Sequence, residues 1–120
     1  MNEQGGLEIN CEGGVAVAAF KGASVTDIGQ ISSAASQIKK FIEENHPKRL
    51  VFDFEQVKFF SSQVLGLLLD ARARLELCRG EVVISSINPQ LYRVFRITNL
   101  DRIFRFFPDK QSALADYAQK

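Results

Sequence analysis

The 120-residue sequence holds one histidine, two cysteines and a formal net charge of only +1, and each scarcity closes off a class of function. His46 stands alone, and Cys11 and Cys78 lie far apart with no C-x-x-C spacing. Neither a zinc cluster nor a disulfide framework can be assembled from them, and reduced thiols suit a cytoplasmic protein. Residues 1–60 carry six basic and eight acidic groups, and residues 61–120 carry nine and six. That drift is too small to make a nucleic-acid backbone the default partner, although it is compatible with an acidic protein partner. No apolar run reaches membrane-spanning length, and the polar start MNEQGG has no signal-peptide core, so membrane insertion is not expected.

The motifs of catalysis are missing too. There is no Walker lysine loop, G-x-G-x-x-G, G-x-S-x-G elbow or H-E-x-x-H. Asp53 and Glu55 sit two apart on a strand, where an inward Asp53 is expected to accept from loop N–H groups rather than form an acid–base pair. His46, before Pro47 in a charged turn, reads as solvated. The expectation is a non-enzyme with no catalytic residues, no metal and no cofactor. Arg93, Arg96, Arg102 and Arg105 read either as a solvated row paired with groups such as Asp101 or as an anion site.

What is present is an ordinary soluble composition, with 46% hydrophobic and 24% charged residues. The length predicts one domain over 1–120, its core running from about Leu7 to Tyr117. Leu7–Cys11 and Val15–Phe20 read as a hairpin turned by Glu12-Gly13-Gly14. Ile28, Ile31, Ala35, Ile38 and Ile42 predict a helix over 26–45, with Asp27 and Gln30 as its capping box. Leu50–Phe54 reads as a strand buried on both faces. A helix over about 62–79 follows, with Val64, Leu65, Leu68, Leu69, Ala71, Leu75 and Cys78 inward and Gly80 at its C-terminal end. Glu81–Ser86 is another buried strand, and Asn88-Pro89 starts a helix with Leu91, Val94 and Phe95 inward and Asn99 at its end. Ile103–Phe107 reads as a last strand, and Asp109 caps a final helix. The order ββαβαβαβα predicts an α/β fold with a mixed, mostly parallel sheet of about five strands flanked by about four helices.

The most informative stretch lies between Leu50 and Cys78, where Phe59-Phe60-Ser61-Ser62 passes from a strand into a helix N-terminus. Free N–H groups and the positive helix end gather there, favouring a bound or covalent phosphate. Ser61 reads equally as a plain N-cap.

Val57-x-Phe59 leading into Leu65-Gly66, Asn88-Pro89 with Val94-Phe95, and Thr98-x-Leu100-Asp101-x-Ile103-Phe104 together resemble the STAS domain. That fold is shared by bacterial anti-sigma factor antagonists and the cytoplasmic tails of sulphate transporters. The resemblance implies a partner-switching module that binds a kinase-type anti-sigma factor, with a phosphatase as a further partner. Antagonists of the family carry Asp-Ser-Ser-Gly before the Leu-Gly pair, the second serine being phosphorylated. Ungapped alignment on Leu65-Gly66 puts that aspartate on Ser61, the first serine on Ser62, the acceptor on Gln63 and the glycine on Val64. A one-residue shift makes Ser62 the acceptor but spoils the Leu-Gly register. The family's Gly-Glu-Leu-Asp corresponds to the longer Gly22–Asp27 segment, where Asp27 either matches that aspartate or is only the helix cap. The resemblance thus implies Ser62 and Ser61 as candidate phospho-acceptors. It implies Asp27, Phe60, Ser61, Ser62, Gln63, Val64 and Gly66 as partner-binding residues. A constitutive adaptor in a signalling or lipid-transport assembly, and a sensor of a small anion or nucleotide, are the alternatives.

Overall fold

The computed structural model describes residues 6–118 apart from Gly13, so the expected glycine turn is seen only at Gly14, in the left-handed region at φ 82°. The polar start and the expected frayed ends fall largely outside the described residues. Strands β1 (Leu7–Glu12) and β2 (Val15–Phe20) pair antiparallel, with Leu7 opposite Phe20. A two-residue strand β3 (Ser24–Val25) precedes helix α1 (Ile28–Asn45). Strand β4 (Arg49–Asp53), a second short strand β5 (Phe59–Phe60) and helix α2 (Ser62–Leu77) follow. Then come β6 (Glu81–Ser85), α3 (Pro89–Ile97), a 3₁₀ turn at Leu100–Arg102, β7 (Arg105–Phe107) and α4 (Lys110–Ala118). The main sheet runs β1-β2-β4-β6-β7, parallel except for the hairpin. The predicted fold is the one observed, with β3 and β5 added as a separate parallel pair.

Period-two alternation divides the central strands between two cores. Ala16, Ala18, Phe20, Leu50, Phe52, Val82 and Ile84 face α1, α2 and α3, while Val15, Val17, Val51 and Val83 face α4. Both sets are buried, which is why these strands read as continuous apolar runs.

Some expectations need correction. Ile28, counted on the inner face of α1, is 64% exposed because it begins the helix ahead of the packed turns, and Ala34 takes the inner place. In α2, Leu67 is buried while Leu69 is partly exposed, and the helix ends at Leu77. The left-handed residue after it is Arg79, at φ 62°. Gly80 serves a different need, since a Cβ there would lie 2.5 Å from the Pro47 carbonyl oxygen and 2.9 Å from Leu75 Cδ2. The last strand is shorter than expected because the Ile103 and Phe104 N–H groups donate back to the Leu100 carbonyl, at 3.0 and 3.3 Å, and not to β6.

Helix α4 is fastened at both ends by carboxylates. Asp109 Oδ1 accepts from the Ser112 N–H at 2.7 Å, and Asp116 accepts from Arg49 at 2.9 Å and from Arg105 at 3.1 Å. The Ser112 bonds hold the Asp109 carboxyl below its usual range, and the hydrogen bonds from Arg105 and Arg49 do the same for Asp116. A carboxyl depressed in the folded state stabilises fully above its unfolded value of about 4 and stops contributing as pH falls through the folded value. Acidification from about pH 5 to below about 3 is therefore expected to strip exchange protection from the α4 amides before those of α1. Hydrogen exchange read by mass spectrometry checks this, and simultaneous loss in both helices would refute it.

Candidate functional site

The short β3–β5 ladder builds the site. Ser24 pairs with Phe59 and Val25 with Phe60. The Lys58 and Phe59 N–H groups both donate to the Ala23 carbonyl, at 2.7 and 3.0 Å, and the Ser61 N–H donates to the Val25 carbonyl at 3.1 Å. The chain entering α1 and the chain entering α2 are thereby laid side by side. Two strands of two residues cannot display an alternation, so sequence patterning could not find them. Beneath them, Val57 is buried, and Asn88 Nδ2 donates to its carbonyl at 3.2 Å. The half-buried Phe60 ring meets Phe54 and Phe95 edge-on, with centroids 5.8 and 6.1 Å away.

The two helix starts differ. Asp27 caps α1, its Oδ2 accepting from the Gln30 N–H at 2.8 Å. Ser61 occupies the N-cap position of α2 with extended backbone, yet its side chain accepts from no helix N–H. Its hydroxyl instead donates to Gln63 Oε1 at 3.2 Å. The expected side-chain cap at Ser61 is thus not made, and the positive end of α2 is left without a side-chain acceptor from its own cap residue.

Of the residues expected at a partner surface, Asp27, Ser62, Gln63 and Gly66 are exposed, and Phe60 and Ser61 are half-buried. Val64 is the correction: it is 0% exposed and packs into the core, so it supports the turn from below and offers a partner nothing. Two large apolar side chains not counted among those residues are also exposed on these connections, Ile28 at 64% and Phe59 at 62%. Each belongs to an apolar pattern in the sequence but is the first residue of its element, where the pattern no longer points inward.

The other candidate groups lie elsewhere. Asp53 is buried and accepts from the Ser85 hydroxyl at 3.0 Å, and among the described residues no loop N–H donates to it. It and the exposed Glu55 line a polar hollow together with Lys110 of α4. His46 is exposed, ending α1 in the left-handed region at φ 45°. Arg105 is drawn into the α4 clamp, away from Arg93 and Arg96, so the arginine row is not one site. Among the described residues, no group of three or more histidine, cysteine or acidic side chains is placed to hold a metal, and no helix is long and apolar enough to cross a membrane.

The fold and site define an α/β domain that offers two adjoining helix starts at one surface. The chain belongs to the STAS domain family, whose model matches residues 8–113. A STAS-domain anti-sigma-factor antagonist protein from Planctomyces limnophilus superposes with TM-score 0.81 at 21% identity, over 95% of this chain and 98% of that one. The anti-sigma factor antagonist SpoIIAA in its unphosphorylated form gives 0.83 at 17%, over 95% and 97%. A sulfate transporter family protein from Wolinella succinogenes gives 0.71 at 18%, over 88% and 85%. At these identities the likeness is one of fold, and the fold hosts more than one function.

Proposed function

We propose that this protein is a non-catalytic interaction module of the anti-sigma factor antagonist type. It docks a kinase-type anti-sigma factor through the paired starts of α1 and α2, in a cytoplasmic partner-switching pathway. The supporting observation is the β3–β5 ladder, which runs the connection leading to Asp27 alongside the one leading to Ser61 and Ser62, with Ile28 and Phe59 exposed on those connections. Exposed apolar anchors beside small polar groups are what a protein interface buries at its centre.

Gln63 stands at the position where antagonists of this type carry their phospho-acceptor. Glutamine accepts no phosphoryl group, so either the contact is constitutive or Ser62, with Ser61 behind it, takes over the switch. A phosphate on Ser62 adds about −1.5 to −2 charges to the first helical turn. The helix dipole stabilises that charge by about 0.3–1 kcal/mol, so the fold tolerates it. A desolvated interface does not. Moving a complex from almost all bound to almost all free takes about 5.5 kcal/mol of differential binding, the scale of one unpaired dianion at an interface centre.

The test is affinity isolation of wild type and Ser62→Asp from native cells, with partners identified by mass spectrometry. The expected result is an ATP-binding, serine-kinase-like protein recovered with wild type and at least about a hundredfold less with Ser62→Asp, whose melting temperature stays within a few degrees of wild type. Equal recovery with both forms would replace the switch with a constitutive adaptor.

A further inference from the structure

The outer face of α3 carries an unpaired charge pattern that the docking surface above does not use. Leu91 and Phe95 turn into the core, which leaves Arg93, Arg96 and Ile97 outward, lining one shallow depression. Ile97 is 77% exposed, and Ile103, beyond the 3₁₀ turn, is 40% exposed. The arginines elsewhere on helices and strands hold carboxylates: Arg72 holds Glu76 at 3.1 Å, Arg74 holds Asp70 at 2.8 Å, and Arg49 and Arg105 share Asp116. Among the described residues, Arg93, Arg96 and Arg102 form no ion pair, and the neighbouring Asp101, expected as a partner, joins none of them.

We propose that this face is a second docking surface, for a carboxylate-rich segment of a partner protein that carries an apolar side chain among its acids. Arginine presents a planar fork that matches a carboxylate with two parallel hydrogen bonds, and two such forks one helical turn apart suit acids spaced along a peptide. The exposed isoleucine beside them selects among anionic partners. A phosphate backbone would leave Ile97 uncovered, and a chain of net charge +1 has no wider field to hold one. A membrane surface would need the apolar side of the helix, which Leu91 and Phe95 have committed to the core.

The probe is a fluorescein-labelled octapeptide alternating glutamate and leucine, titrated by anisotropy at low and at high salt. Wild type is expected to bind it roughly tenfold or more tightly than Arg93→Glu/Arg96→Glu, with affinity falling as salt rises. Ile97→Ser is expected to weaken binding by roughly threefold or more, the scale of one small apolar group withdrawn from an interface. Both variants change exposed positions and should keep the wild-type melting temperature. Failure to bind the peptide at millimolar concentration, equal binding by the charge-reversed variant, or tighter binding to an oligouridylate or to phosphatidylserine vesicles would each overturn the proposal.

Discussion

Phe95→Ala is expected to lower the free energy of unfolding by about 3–5 kcal/mol, the usual cost of emptying a buried phenylalanine site. Phe95 is 0% exposed and lies at the hub of an aromatic cluster. Its ring meets Phe106 at 5.2 Å, Phe60 at 6.1 Å and Phe104 at 6.2 Å, all nearly edge-on. These neighbours come from β5 and from the chain around β7, so the cavity cannot be closed by moving one side chain. Against a total stability of about 5–15 kcal/mol, the loss leaves the chain marginal. Urea unfolding checks it: the midpoint should fall with the slope unchanged. Phe95→Leu should lose clearly less, because it refills part of the volume. The same substitution to alanine reaches the candidate site, since Phe60 keeps only Phe54 of its two edge-on partners and β5 holds the start of α2. Exchange protection at the Ser61 N–H should therefore fall further than the global loss accounts for.

What was legible in the sequence and what was not divide along physical lines. The long periodic elements were readable because burial imposes their pattern: Ile31, Ile38 and Ile42 on α1, and the two-sided strand after Arg49. The caps at Asp27 and Asn88 were readable because a short acceptor three residues before a backbone donor is a local device. The site itself was only half legible. Ser61, Ser62 and Gln63 could be located at a helix start, but their neighbour across the β3–β5 ladder comes from Ser24–Val25, far back in the chain. Nothing in the residues around Ser24 announces that pairing. The burial of Val64 was legible in the helix pattern and overrides the partner role that the resemblance gave it, whereas the exposure of Ile28 and Phe59 depends on where each element begins, and boundaries are where periodicity loses its meaning. The fold, being a sum of such patterns, survives errors of that size, whereas a site made of boundary residues does not.

The second large effect falls on a residue that the sequence hid. Arg49 stands one residue ahead of the strand expected at Leu50–Phe54, yet it is 0% exposed at the start of β4. Its guanidinium donates to Glu81, its register partner on β6, to the Ala113 carbonyl at 3.1 Å and to Asp116 at 2.9 Å. It also lies over the rings of Tyr117 and Phe107, at 5.4 and 5.9 Å. Removing one partner of a buried ion pair costs about 3–5 kcal/mol, but Glu81 and Asp116 keep 37% and 30% of their side-chain surface in water and can resolvate. The lower end therefore applies: Arg49→Met should cost about 3 kcal/mol, and the melting temperature should fall by about 10–15 °C. Charge loss and lost packing separate in a double-mutant cycle with Asp116→Asn. If the clamp holds α4 by its charges, Asp116→Asn should destabilise wild type and do little in the Arg49→Met background, a coupling of about 0.5–3 kcal/mol. Additive effects would mean that Arg49 acts mainly by filling space under Tyr117 and Phe107. Its Nε, buried without a partner, already tells against an ideal electrostatic fit. Among the described residues, the small core under α4 has Val15, Val17, Val51, Val83 and Ala113 as its buried members. Interchangeable aliphatic contacts of that kind would let the helix slide, whereas a guanidinium fork aimed at Ala113 and Asp116 allows one register, so the loss of Arg49 should loosen α4 well before it unfolds the sheet.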